Sequence, residues 1–221
     1  IARITQQRVT VIGAGRTDTG VHANGQVIAF NVDWKHDPKA LLRALNSVLP
    51  DDIALQDLVE APPDFHPRFS ALARKYRYTV IYTETRLPLL RSRSWQLWEV
   101  AHQRAGMVQA AQLLLGTQYF GALGKSSHGG HTIRTVFASA WLECSHGAAR
   151  VYEYEVVANA FLQHMVRRIV GALVDVGRGK LTPAQFEDGL RRGDAAMFKT
   201  LAPPQGLVLE AVFYPENKLV E

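Results

Sequence analysis

Apolar and polar positions along the chain switch repeatedly between a period of two and a period near 3.6. Val9-Thr10-Val11-Ile12 and Gln26-Val27-Ile28-Ala29-Phe30 predict strands over 8–12 and 26–32, on either side of a polar, glycine-rich loop. Pro38 then opens a helix over Lys39 to Val48, apolar at Leu41, Leu42, Leu45, Val48 and Leu49 and stopped by Pro50. Ile53-Ala54-Leu55 is a short strand-like run. From Arg74 to Tyr82 the period is two again. Tyr76, Tyr78, Val80 and Tyr82 fall on one face, and Lys75, Arg77, Thr79 and Ile81 on the other. Helical spacing returns at 103–115, through Met107, Val108, Ala111, Leu114 and Leu115, with Gly116 as its stop. Strands follow at 134–143 and 150–158 around a turn at His146-Gly147. A helix from Phe161 to Val176 ends at Gly177. It is apolar along Phe161, Leu162, Met165, Val166, Ile169, Leu173 and Val176, and polar at Gln163, His164, Arg167, Arg168 and Asp175. Thr182-Pro183 starts a short helix, and 206–214 reads as the last strand. Strand pairs alternating with helices predict an α+β fold, with helices on a mixed sheet, in two related halves. Pro62-Pro63 breaks the chain into an N-terminal subdomain, 1–63, and a C-terminal one, 64–221.

Composition narrows the partners. The chain has 221 residues, 47% of them hydrophobic, enough for a sizeable core. Its net charge of +5 favours a polyanion over an acidic partner. A lone cysteine, Cys144, leaves no internal disulfide framework and fits a reducing compartment. No apolar run approaches the roughly 20 residues that span a bilayer, and no secretory signal opens the chain. The expectation is a soluble, cytoplasmic protein. Charge is also uneven along the sequence. Residues 51–64 carry five acids and no base, whereas Arg68 to Arg93 carry seven bases against one acid, Glu84. Basic residues interleaved with tyrosines over 74–82 suit a nucleic-acid surface, where cations meet phosphates and rings stack on bases. The same run also suits tyrosines facing a core with the basic residues on a solvated face. Farther on, His128 and His131 in the Gly-, Ser- and His-rich segment 121–131 have no nearby cysteine or carboxylate to complete a zinc set.

The candidate chemistry lies in the first loop, Gly13-Ala14-Gly15-Arg16-Thr17-Asp18-Thr19-Gly20-Val21-His22-Ala23-Asn24-Gly25. A polar loop between strands is a usual seat for an exposed catalytic side chain, and equally for an Asp that bonds its own backbone. Gly13-x-Gly15-x-x-Asp18 has Asp where a dinucleotide fingerprint needs its third glycine, and the Gly-Lys-Ser/Thr of a phosphate-cradling loop is absent. Asp18-Thr19-Gly20 spells the tripeptide of aspartic proteases. That chemistry needs two carboxylates sharing one proton, and Arg16 beside Asp18 favours an ionised carboxylate instead. An ionised aspartate flanked by arginine suits a nucleophile or base acting on an electrophilic ring or sugar carbon.

Ala14-Gly15-Arg16-Thr17-Asp18-x-Gly20-Val21-His22-Ala23 resembles the signature of tRNA pseudouridine synthases of the TruA family. Asp64-Phe65-His66-x-Arg68-Phe69-Ser70-Ala71, Ala73-Arg74-Lys75-Tyr76-Arg77-Tyr78, Asn159-Ala160-Phe161-Leu162-x-His164-Met165-Val166-Arg167-x-Ile169-Val170-Gly171 and Gly206-Leu207-x-Leu209 follow in the family's order. The family's opening Tyr-Asp-Gly strand and the helix after it are not seen, as though a few tens of residues were missing ahead of Ile1. The resemblance implies a pseudouridine synthase fold, with a mixed, mainly antiparallel sheet and two ferredoxin-like halves. It implies isomerisation of uridine at positions 38, 39 and 40 of the tRNA anticodon stem-loop by a homodimer, without cofactor or metal. Asp18 would be the nucleophile, attacking either uracil C6 or sugar C1′. Arg16 would fill the space left by the flipped base, Tyr76 would stack on the uracil, Arg167 would pair with Asp18, and the basic segment 68–93 would line an RNA groove. The alternative from another class is an RNA-binding module without catalysis.

Overall fold

The long strand β4 (Ala73–Tyr82) lies antiparallel to β8 (Ala149–Ala158) from Arg74 opposite Ala158 to Tyr82 opposite Arg150. This is a computed structural model, and it describes residues 1–98, 103–126, 131–147 and 149–215. His128 lies outside the described residues. The chain divides into two compact units, one of residues 1–16, 26–72 and 213–221, the other of 17–25 and 73–212. That division falls elsewhere than Pro62-Pro63: residues 64–72 belong to the first unit, and the segment 17–25 belongs to the second.

In the first unit a four-residue helix, α1 (Ala2–Thr5), precedes the antiparallel pair β1 (Ile12–Gly13) and β3 (Ile28–Ala29). These strands are much shorter than the apolar runs that predict them. Helix α2 (Pro38–Asn46) is capped by Asp37, whose carboxylate accepts the Lys39 N–H, and it buries Leu41 and Leu45. Ile53-Ala54-Leu55 forms no strand. The Asn46 amide pairs with both the N–H and the C=O of Leu55, so a side chain takes the place of a neighbouring strand.

The second unit holds a seven-stranded mixed sheet. Its order is β2 (His22–Ala23), β9 (Leu207–Phe213), β4, β8, β7 (Ile133–His146) and β6 (Gly116–Tyr119), with β5 (Trp95–Leu97) added to β4. The β4–β8, β8–β7 and β7–β6 pairs are antiparallel, and the β2–β9 and β4–β5 pairs are parallel. Helices α3 (Arg104–Gln112), α4 (Met165–Gly177) and α5 (Pro183–Arg192) join one core with Tyr78, Val80, Tyr152, Tyr154 and Val156 of the sheet. The tyrosines of β4 therefore face the core at Tyr78 and Tyr82, as the more conservative reading of the period-two pattern expects. On the other face Lys75 pairs with Glu155 at 2.8 Å, and Arg77 pairs with Glu153 and with Glu210. These two cations are matched within the sheet, which corrects the picture of β4 as an open basic face. Arg86, Arg91 and Arg93, in the turns after it, are exposed.

Helix α4 starts at Met165 rather than Phe161. His164 sits in the left-handed region at φ 61°, inside a turn that Met165 N–H closes onto the Leu162 carbonyl just before the helix. Thr182 and Gln185 form a capping box at the start of α5. Strands β5 and β6 are too short to announce themselves by period.

Candidate active site

Residues 17–25 leave the first unit and add to the sheet of the second. Val21 N–H donates to the Asp18 carbonyl at 3.0 Å, and Gly20 between them has φ 85°, the conformation a type II turn needs at its third residue. His22 and Ala23 then run parallel to Val208 and Leu209 as β2. At the far end of the segment the Asn24 and Gly25 N–H groups both donate to the Leu209 carbonyl. A Cβ on Gly25 would stand 2.3 Å from the Glu210 carbonyl oxygen, so this docking requires glycine. The His22 imidazole reaches the Ser92 carbonyl at 2.7 Å. The loop is thus not a free hairpin tip: ladder bonds on its far side hold the turn that carries Asp18.

Across from that turn stands the first turn of α4. The Arg167 guanidinium donates through Nη1 to Asp18 Oδ2 at 2.7 Å and through Nε to the Ala202 carbonyl at 2.8 Å. Ala202 N–H in turn donates to the Arg167 carbonyl at 3.1 Å. The fork is therefore fixed at one end by backbone and presents the other end to the carboxylate. Arg168, on the same polar face by period, goes elsewhere and donates to the Phe198 carbonyl. His164 Nε2 lies 3.4 Å from the same Asp18 Oδ2. The start of a helix is also where its dipole favours an anion.

Tyr76 comes from β4. Its ring stands edge-on to Phe161 with 5.0 Å between centroids. Burial pushes its phenol above the ordinary tyrosine range, and the nearby charge of Asp18 adds to the rise, while Arg74 opposes it. Next to it, Tyr78 donates its hydroxyl to the Pro203 carbonyl at 2.7 Å. Burial raises that phenol too, against the pull of Arg167. Segment 202–204 therefore serves three neighbours: Ala202 holds Arg167, Pro203 holds Tyr78, and Pro204 lies against Gly20.

Of the sequence candidates, Asp18, Arg167 and Tyr76 gather within the second unit. Arg16 is exposed and ends the stretch of the first unit that precedes Thr17. Period puts His164 on the polar face of a helix; its backbone turn, which period does not show, brings it to Asp18 instead. Among the described residues no group of three His, Cys, Asp or Glu side chains is placed to hold a metal ion. None of the described helices is long and apolar enough to cross a membrane.

The sequence profile of tRNA pseudouridine synthases matches residues 1–70 and 110–215, which include Asp18, His164 and Arg167. The chain belongs to the tRNA pseudouridine synthase family. It is similar to tRNA pseudouridine synthase A of Chloroflexus aurantiacus, with 42% identity over 218 residues, covering 96% of this chain and 76% of that protein. It resembles the Myxococcus xanthus protein of the same name at 40% identity, over 98% of this chain and 81% of the relative. A Chlamydia trachomatis synthase is also 40% identical, over 97% of this chain and 80% of its own. The pseudouridine synthase fold accounts for the mixed, mainly antiparallel sheet with helices packed on it. Tyr76 falls outside the two segments of the profile match, but it is near enough to Asp18 for that carboxylate's charge to act on its phenol.

Proposed function

We propose that this protein isomerises uridine to pseudouridine in tRNA, with Asp18 as the nucleophile. The observation that carries the reading is the Arg167–Asp18 pair at 2.7 Å within two segments that both belong to the family profile. A partly exposed carboxylate, paired with a backbone-fixed guanidinium, is ready to attack carbon rather than to share a proton.

The target base must leave its stack to reach Asp18, which costs roughly a few kcal/mol. Arg16 fills the vacated space and contacts phosphate. An Asp18 oxygen then bonds either sugar C1′ or uracil C6. At C1′, the new O–C bond forms as the N1–C1′ bond breaks, and its electron pair leaves with the uracil. The ring turns, C5 takes C1′ back from the carboxylate, and the C5 proton is lost as N1 gains one. Nothing is oxidised, so the balance asks for no redox cofactor. Tyr76 stacks on the uracil, and its hydroxyl lies beside the proton that must leave C5. We place the substrate uridines at positions 38, 39 and 40 of the anticodon stem-loop and the working unit as a cytoplasmic homodimer. The exposed Arg86, Arg91 and Arg93 supply charge toward the RNA backbone.

The test is to incubate the protein with unmodified tRNA transcripts and map pseudouridine by position, with Asp18→Asn alongside. Expected are pseudouridines at 38–40 with the native chain, none with Asp18→Asn, and tRNA affinity within about tenfold of native for the variant. Binding without any pseudouridine from either protein would instead support an RNA-binding module.

A further inference from the structure

The two oxygens of Asp18 are not equivalent. Arg167 Nη1, at 2.7 Å, and His164 Nε2, at 3.4 Å, both converge on Oδ2. No described contact holds Oδ1. His164 also occupies the left-handed region, at φ 61°, and among the described residues only Gln6 at a helix end shares that trait outside glycine. A non-glycine residue pays for such a conformation and keeps it only where its surroundings insist. Here the residue stands at the N-cap of α4 but makes no side-chain cap to the helix. A serine or aspartate would serve the helix better. What the left-handed turn achieves is to swing the imidazole away from the helix end and toward the carboxylate of Asp18.

From this convergence we propose that His164 is a positioning residue: with Arg167 it clamps Asp18 Oδ2 and so leaves Oδ1 as the oxygen that bonds the substrate carbon. The proposal rests on Asp18 being the nucleophile. Arg167 supplies charge along one direction, fixed by Ala202. A single contact still permits the carboxylate to rotate about it. A second nitrogen set against the same oxygen at 3.4 Å, from the residue three places earlier on the adjoining turn, limits that freedom and biases which lone pairs face the reacting carbon. The imidazole itself bonds nothing in the substrate and transfers no group.

The left-handed backbone supplies a clean variant. Glycine adopts that conformation without strain, so His164→Gly removes the ring while favouring the native turn. The native chain is the control: if it forms pseudouridine and Asp18→Asn does not, the nucleophile reading stands and His164 can be tested on it. His164→Gly is expected to keep its melting temperature and its tRNA Kd, to hold KM within about twofold, and to lose about 10- to 100-fold in kcat. Added imidazole, diffusing into the space left by the ring, is expected to restore a measurable part of that kcat. A merely structural histidine would lower the melting temperature and would not respond to imidazole. Native kcat in His164→Gly, a loss confined to KM, or a lost kcat that imidazole leaves unchanged would each overturn the proposal. His164→Asn, which also tolerates the left-handed turn but is too short to reach Oδ2, is expected to lose kcat to the same extent without rescue.

Discussion

Arg167 and Asp18, 149 positions apart in sequence, meet at 2.7 Å because the Ala202 carbonyl holds the other side of the guanidinium. The fork shape is what allows one side chain to serve both partners, and a lysine ammonium has no such geometry. Arg167→Lys is therefore expected to keep the charge but lose one of the two contacts. Turnover should fall roughly 10²- to 10³-fold, as for loss of one fixed donor at a reacting centre, with a much smaller change in tRNA Kd. Single-turnover rates and filter-binding titrations measure the two separately, and equal losses in both would argue that Arg167 acts on binding.

Tyr76 is the second case in which affinity and turnover should part. Its ring is held edge-on against Phe161, so Tyr76→Phe keeps the aromatic face and removes only the hydroxyl. tRNA affinity should stay within about twofold, since stacking rather than hydrogen bonding carries a base on a ring. Pseudouridine formation should nevertheless fail. Undiminished turnover in Tyr76→Phe would show that the hydroxyl takes no part.

Alkaline pH should unfold this protein early. Burial raises the phenols of Tyr76, Tyr78 and Tyr154 in the native state. Above the ordinary tyrosine pKa of about 10 the unfolded chain releases these protons while the native state keeps them. The native state then binds more protons, so stability falls as pH rises. It is intact below about pH 10 and drops by up to about 1.4 kcal/mol per pH unit for each such phenol above it. Urea midpoints from pH 8 to pH 11 measure the slope, and replacing Tyr154 by Phe should reduce it.

Gly25 tests whether the docking of 17–25 matters to the site. A methyl group there would meet the Glu210 carbonyl oxygen at 2.3 Å and the Ala211 Cα at 2.9 Å, both backbone atoms that cannot rotate aside. Gly25→Ala must either displace β2 from β9 or strain both, at a cost of about 1–3 kcal/mol. The expected outcome is a lower melting temperature together with a turnover loss larger than the stability loss explains, because the Asp18 turn shifts with the segment. Thermal melts and kcat on the same preparation decide it.

Much of this architecture was legible in local pattern. Period two over 74–82 located β4 within a residue of its observed start, and Pro38 and Thr182-Pro183 marked helix starts that the structure keeps. Short elements were not legible. Strands β5 and β6 have three and four residues, too few for a period to stand out, and their existence depends on neighbours distant in sequence. Over Ile53–Leu55 the propensity points to a strand, but no described strand pairs with it: Ile53 N–H turns back to the Pro50 carbonyl and the Asn46 amide bonds Leu55. For Lys75 and Arg77 the sequence leaves a nucleic-acid face and a solvated face both open, because the Glu155, Glu153 and Glu210 partners arrive from β8 and β9, far away in the chain.

For the site the division is similar. The sequence by itself determined which residue types were available: an aspartate in a glycine-punctuated loop, a tyrosine on a strand and two adjacent arginines on a helix, in the order of one family. Period places Arg167 and Arg168 alike on the polar side of a helix, and only the family resemblance separates them. The tertiary structure supplies the physical reason, which lies in where segment 198–202 runs. Only the tertiary structure decided that His164 lies beside Asp18, since a left-handed φ redirects a side chain without leaving any mark in the hydrophobic pattern. Covalent neighbours fix local conformation through short-range sterics, whereas a carboxylate and its cation 149 residues away are joined by packing alone.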